Sequence, residues 1–245
     1  MSQKAWAVIA GVGAGTGSSI ARRFAKTYAV ALLARKPSNF EPLVKEINDA
    51  GGHALGISAD TSDAQSIKNA FEQLKKESGG AKVAAAVYNV GGGLVKKPFL
   101  ELKEEELEGA WASNGRGGFL FAQAVLPLLL AQADASPDHP PTLIFTGATA
   151  ALKASATFAA FAAGKFAVRA LSQSLAREFG PKGVHVAHAI IDGLIDTEQT
   201  KGYDLGHAEA KISPDAIADA YWYLHTQPRT CFSNEIDLRP AREKW

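Results

Sequence analysis

The chain has 245 residues, 47% hydrophobic and 21% charged, the balance of a soluble globular protein with one sizeable core. Lys and Arg number 26 against 25 Asp and Glu, so there is no global basic field for a phosphate backbone, and nucleic acid is not an expected partner. The single cysteine, Cys231, excludes an internal disulfide and a zinc site of the multi-cysteine kind.

The first apolar run, 5–10, is short and leads directly into Gly11-Val12-Gly13-Ala14-Gly15-Thr16-Gly17, after which helical spacing begins and continues over 18–29. A glycine loop between a first strand and a first helix lets the backbone approach a pyrophosphate, and the helix N-terminus supplies N–H groups and partial positive charge. A second strand, 30–34, ends in Ala34-Arg35-Lys36. Ala34 stands near the point where an acid would bind ribose hydroxyls, and the two cations Arg35 and Lys36 follow it, so a 2′-phosphate is favoured and the expected cofactor is NADP(H) rather than NAD(H). Helices are expected at 41–50 and 63–77, the second N-capped by Ser62, with strands at 54–58 and 83–88. A long helical pattern over 104–131 begins with Glu104-Glu105-Glu106, which suits a helix first turn. Gly115, Gly117 and Gly118 interrupt that pattern and imply a bend or a close approach.

An exposed connection is expected at 134–141, then a strand at 143–145, a helix over 155–179 and a strand at 184–191. His185 and His188 are three apart on that strand, which sends them to opposite faces and argues against a shared metal. No metal site is expected. No apolar run approaches the roughly 20 residues that span a bilayer, and the apolar stretch before Gly11 is too short for a secretory segment, so a cytoplasmic protein without a membrane partner is expected. The alternation of strand and helix predicts an α/β fold, a doubly wound parallel sheet in a single domain.

On these motifs the chain resembles the short-chain dehydrogenase/reductase family over nearly its whole length. Gly11, Gly15 and Gly17 match its glycine motif, with Thr16 inside the loop, and Asp60 matches the acid that meets the adenine ring. Asn89-Val90-Gly91 resembles the Asn-Ala-Gly flanking the cofactor, and Asn114 the helix Asn that holds a water near the active-site Lys. The segment Asp192-Gly193-Leu194-Ile195-Asp196-Thr197 is similar to the one near the nicotinamide amide, with Asp192 in place of Pro. The resemblance implies a Rossmann sheet of about seven strands, with 236–238 supplying the last, and a substrate loop at about 198–213. It also implies a homodimer or homotetramer through the helices 104–131 and 155–179.

The family's catalytic Tyr stands four residues before its Lys, here Lys165, and that position is Phe161. The catalytic Ser position, thirteen residues upstream of Phe161, is Ala148, with Thr149 beside it as a displaced hydroxyl. Lys165 and Asn114 remain as the surviving members. Loss of a general acid typically lowers a rate about 10²–10⁴-fold. Three readings stay open. A reductase acting on a small organic carbonyl or conjugated substrate would use another donor, Thr149 or Asp192. A reductase acting on an iminium ion, or on an imine already protonated to one, would need none, because hydride then gives a neutral amine. Alternatively, the protein binds NADP(H) without reduction, as a pseudo-enzyme, a regulator, or a pocket for cyclisation or isomerisation.

Overall fold

Every residue of the run Trp6-Ala7-Val8-Ile9-Ala10 is buried, as a strand must be when helices cover both faces of its sheet. The computed structural model describes residues 4–80, 82–92, 94–133 and 138–242. Seven strands lie in one parallel sheet: β1 (Trp6–Ala10), β2 (Ala29–Ala34), β3 (Ala54–Ser58), β4 (Val83–Tyr88), β5 (Thr142–Thr146), β6 (His185–Ile191) and β7 (Glu235–Leu238). Their order is β3-β2-β1-β4-β5-β6-β7. The chain reverses its direction of travel across the sheet between β1 and β4, and the crevice at such a switch point is where doubly wound folds bind ligands.

Among the described residues seven α-helices flank the sheet: α1 (Thr16–Ala25), α2 (Glu41–Asp49), α3 (Ala64–Glu77), α4 (Glu104–Trp111), α5 (Gly117–Ala133), α6 (Ala159–Phe179) and α7 (Pro214–His225). The strand period of two decides which helix each residue meets. Ala7 and Ile9 join Phe24 of α1, Ile47 of α2 and Tyr221 of α7 in one core. Trp6 and Val8 join Leu74 of α3, Phe121 of α5 and Val168 of α6 in the other. The single-domain doubly wound fold is therefore the observed one.

Most element positions match their expectation, with three differences. Helix α7 lies beyond the last helix read from the pattern. It begins at Pro214 behind Ser213, whose side chain accepts a hydrogen bond from the Ala216 N–H, so a helix start signal was present. The cap of α3 is Asp63, which accepts from the Ser66 N–H at 2.6 Å, rather than Ser62, which donates instead to Asp60. The expected single helix at 104–131 is α4 and α5 joined by a π turn, Ala112–Arg116. Within α5, a Cβ on Gly117 would lie 2.3 Å from the Tyr88 hydroxyl, the close approach that the glycines implied. By length and composition the whole helix 104–133 is long and apolar enough to cross a membrane, yet Phe121, Val125 and Leu129 of α5 are buried against the sheet. Of the connection expected at 134–141, residues 134–137 lie outside the described residues.

His185 and His188 do point to opposite faces. The His185 ring bonds the Leu224 carbonyl of α7 at 2.9 Å, while His188 Nδ1 meets Glu235 at 3.0 Å on the side of α6, where Arg169 grips the same carboxylate. Both histidines serve the core, and among the described residues no cluster of three or more metal-ligating side chains occurs.

Candidate active site

At the end of β1 the chain turns at Gly11, with φ of +85°, and the Gly11 N–H returns to the Leu33 carbonyl of β2 at 3.0 Å. The turn leaves no room for side chains. A Cβ on Gly11 would stand 2.4 Å from the Asn89 carbonyl oxygen, and one on Gly17 would stand 2.5 Å from the Gly11 carbonyl oxygen. Helix α1 therefore starts directly against the strand ends. It has no acidic residue in its first turn and no side-chain N-cap, so its N–H groups and positive dipole end remain available to an anion.

Asn89 fastens this loop to the rest of the site. Its Nδ2 donates to the Gly11 carbonyl at 3.1 Å, and its Oδ1 accepts from the Thr146 hydroxyl of β5 at 3.0 Å. On the other side, segment 193–200 leans over the glycine loop, where a Cβ on Gly15 would come within 2.9 Å of Thr197 Cγ2. A parallel bridge between Ile195 and Ile212 and the Thr200 hydroxyl bonds hold that segment in place.

These parts line one cleft of about 1070 Å³, which runs from Arg35 and Asp60 past Gly11, Gly15, Thr16, Gly17, Asn89 and Gly91 to Gly193, Ile195, Thr197, Ala148, Phe161 and Lys165. Arg35 is exposed on the wall, and its charge helps hold the Asp60 carboxyl below its usual range, after the larger effect of the Ser62 hydroxyl bond. Lys36 is exposed and does not line the cleft, so of the expected cation pair only Arg35 faces it. Asn39, in the short turn that follows, lines the wall in its place. Thr146, the last residue of β5, and Ser113 in the π turn also line the cleft and went unread in the sequence. The position of Thr146 at a strand's carboxyl end was the available signal.

Lys165 and Phe161 lie one turn apart on α6, with the Nζ 5.8 Å from the Phe161 ring centroid. Lys165 is almost wholly buried and donates a single long hydrogen bond, 3.3 Å, to the Thr146 carbonyl. Burial lowers its pKa to about 8. Gly164 beside it permits close packing, because a Cβ there would stand 2.8 Å from the Ala110 carbonyl and 3.2 Å from the Asn114 side chain. Asn114 is fully buried in the π turn. Its Nδ2 donates to the Ala110 carbonyl at 2.9 Å and the Gly92 carbonyl at 3.1 Å, and its Oδ1 has no protein partner.

Thr149 and Asp192 are turned away from the cleft. The Thr149 hydroxyl donates to the Asp192 carboxylate, and Arg239 Nη1 meets the other carboxylate oxygen at 2.7 Å. Asp192 is thus a buried, ion-paired group, and neither residue lines the cleft wall. In the loop after 198, Tyr203, Asp204 and His207 are exposed to solvent.

A doubly wound sheet with a glycine-walled anion cradle at its switch point, and a buried lysine at the far end of the same cleft, defines the nucleotide-cleft class of α/β proteins. The family model for short chain dehydrogenase matches residues 5–206, and the chain belongs to that family of oxidoreductases. An uncharacterized oxidoreductase of Staphylococcus epidermidis is 28% identical over 236 residues, 96% of each chain. The structure of a short-chain dehydrogenase from Rhodopseudomonas palustris is 33% identical, with a TM-score of 0.78 over 96% of this chain and 98% of that one. An alcohol dehydrogenase of the archaeon Thermococcus sibiricus, complexed with 5-hydroxy-NADP, is 26% identical with a TM-score of 0.84 over 98% of both chains.

Proposed function

We propose that this protein is an NADP(H)-dependent oxidoreductase with an altered active site, reducing a small organic carbonyl, imine or iminium, or conjugated substrate. The observation that carries this reading is the continuity of the cleft, in which an anion cradle, an exposed arginine and a buried lysine share one wall. The residues fit a nicotinamide dinucleotide. Gly11, Gly15, Thr16 and Gly17 suit its pyrophosphate, Arg35 a 2′-phosphate and Asp60 the adenine end. Asn89 and Gly91 flank its middle. Lys165 suits the nicotinamide ribose, and Gly193, Ile195 and Thr197 the carboxamide. When bound, such a group supplies a hydride to an electrophilic carbon. Phe161 and Ala148, at the positions of the family's Tyr and Ser, line the reacting end as apolar wall and give the substrate neither a proton nor a hydrogen bond.

The reading is tested by titrating the protein with NADPH and NADH and then following NADPH oxidation across a panel of carbonyl, iminium and conjugated acceptors. Tighter binding of NADPH with turnover of a panel member is the expected result. Binding without turnover across the panel would turn the assignment to a non-reducing binder.

We also propose that the chain assembles as a homodimer or homotetramer through α4, α5 and α6. Trp111, Phe119 and Phe166 are exposed large apolar residues on these helices, and Trp111 and Phe119 border a groove of about 270 Å³ with Ala167 and Leu171. Light scattering should report a dimer or tetramer, and Trp111→Glu should shift it towards monomer.

A further inference from the structure

A reductase whose wall carries phenylalanine in place of the usual acid needs a proton from elsewhere whenever its acceptor is a carbonyl. The polar groups around the reacting end are few, and almost all are engaged. The Thr146 hydroxyl is shared between Asn89 Oδ1 and the Tyr221 hydroxyl, and the Ser113 hydroxyl donates to the Gly109 carbonyl at 2.8 Å. The Asn114 amide donates to two carbonyls. Thr149 and Asp192 are held by each other and by Arg239. Among the lining carboxylates, Glu106 is paired with Lys97, Glu105 and Glu198 lie in exposed positions, and Asp60, at the Arg35 end of the cleft, accepts from the Ser62 N–H and hydroxyl.

Lys165 differs from all of these. Its ammonium has three N–H donors, of which one makes the long bond to the Thr146 carbonyl, and no ion pair is formed with it among the described residues. It lines the cleft one helical turn from Phe161, where the missing acid would stand. We propose that Lys165 Nζ is itself the proton donor to a carbonyl oxygen bound at this end of the cleft, an inference that rests on the reductase reading above.

The step balances as follows. When the carbonyl carbon gains a hydride from a reduced nicotinamide, the C=O π pair moves onto oxygen. One Nζ–H bond breaks with its electron pair left on nitrogen, and the proton forms the O–H bond of the alcohol. The neutral amine then regains a proton from water. Burial supports this role, because it brings the ammonium's pKa to about 8, close enough to neutrality for the proton to be given up and recovered. The groups that face Lys165 leave burial as the dominant influence. The Thr146 carbonyl comes from β5, Phe161 from its own helix, and Asn114 packs on α6 at Gly164. His188 on β6 feels the lysine's charge, but its own pKa is held down, chiefly by burial, so it stays neutral near pH 7.

The test has one arm on the free protein and one on the loaded enzyme. In the free protein, lysine labelled with ¹³C at Cε is followed by NMR against pH, the Lys165 signal being assigned by its loss in Lys165→Met. A midpoint near 8 is expected, and a signal still that of the ammonium beyond pH 10 would overturn the proposal. In the loaded enzyme, kcat for carbonyl reduction should be level below pH 8 and fall about tenfold per unit above it. Lys165→Arg keeps the charge and its contacts but cannot release a proton near neutrality. At saturating NADPH it should lose about 10²–10⁴-fold in kcat and lose the fall above pH 8. A Lys165→Arg protein with undiminished kcat would refute the donor role while leaving the reductase reading intact. Turnover of iminium or conjugated acceptors with no carbonyl turned over would refute the donor role alone, whereas no turnover of any acceptor in the panel would refute the reductase reading and the donor role with it.

Discussion

At the nucleotide end of the cleft the recognising groups belong to the backbone. A methyl at Gly11 or Gly17 would meet backbone atoms at 2.4–2.5 Å, and the N–H groups of α1 need no particular side chain to face an anion. At the reaction end the groups are side chains, and most have turned inward to each other. Thr149 is bound to Asp192, Asp192 to Arg239, His188 to Glu235 and Glu235 to Arg169. On the reading proposed above, the difference explains how a chain can keep a family's binding cradle and depart from its chemistry. Backbone geometry changes only if the fold changes, whereas a side chain is replaced by one substitution, as Phe161 illustrates.

The largest expected effect restores chemistry at the altered end. The double variant Phe161→Tyr and Ala148→Ser should raise NADPH-dependent carbonyl reduction by about 10²–10⁴-fold, measured as kcat with a simple ketone. No gain would show that the two ends differ by more than the missing hydroxyls. At the cradle end, Gly17→Ala should lower stability by about 1–3 kcal/mol in denaturant unfolding and weaken NADPH binding with it, because backbone atoms cannot move aside. Gly13→Ala is the control, because nothing lies within 4 Å of its Cβ position.

The next effect concerns the support beneath the cradle. Helix α1 is braced by α7 through Phe24 packed edge-on to Trp222 and Arg23 bonded to Asp219 at 2.8 Å. In α7, His225 is fully buried between the Tyr28 hydroxyl at 2.7 Å and the Thr142 hydroxyl at 3.0 Å. Burial, helped by His139 and His185, lowers its pKa from 6.5 to about 3. The unfolded chain therefore binds a proton that the folded chain refuses between those values. The stabilisation is complete above about pH 6.5 and is lost progressively as pH falls towards 3, amounting to about 2 kcal/mol by pH 5. Urea midpoints at pH 7 and pH 5 should show this loss, and His225→Gln should flatten it. The smallest effect is on cofactor choice. Arg35→Ala should reduce the preference for NADPH over NADH by about tenfold or more in dissociation constants, and an unchanged preference would remove Arg35 from the phosphate site.

Much of this molecule could be read from local pattern. The strands expected at 54–58 and 83–88 have those ends in the structure, because a short apolar run with polar or glycine borders leaves few alternatives. The glycine loop, Asn89 and Lys165 were legible for the same reason, since each has its place between a strand and a helix. Helix α7 is absent from the expected elements, although Ser213 and Pro214 mark its start and Ile217, Tyr221 and Leu224 give it a buried face at helical spacing. Lys36 stood next to Arg35 in the sequence, yet the chain's turn into Pro37 directs only one of the two cations to the cleft.

By itself, the sequence determined the order of strands and helices, the single sheet, the glycine loop and the residue types at Ala148, Phe161 and Lys165, all of which depend on residue type and near spacing. Only the tertiary structure decided which polar groups remain free at the reacting end. Asp192 is close in sequence to the cofactor segment but is held by Arg239, 47 positions further on, and by Thr149, 43 positions before it. Such pairings follow from how distant strand ends come together, and a carboxylate's availability depends on the charge that reaches it in space.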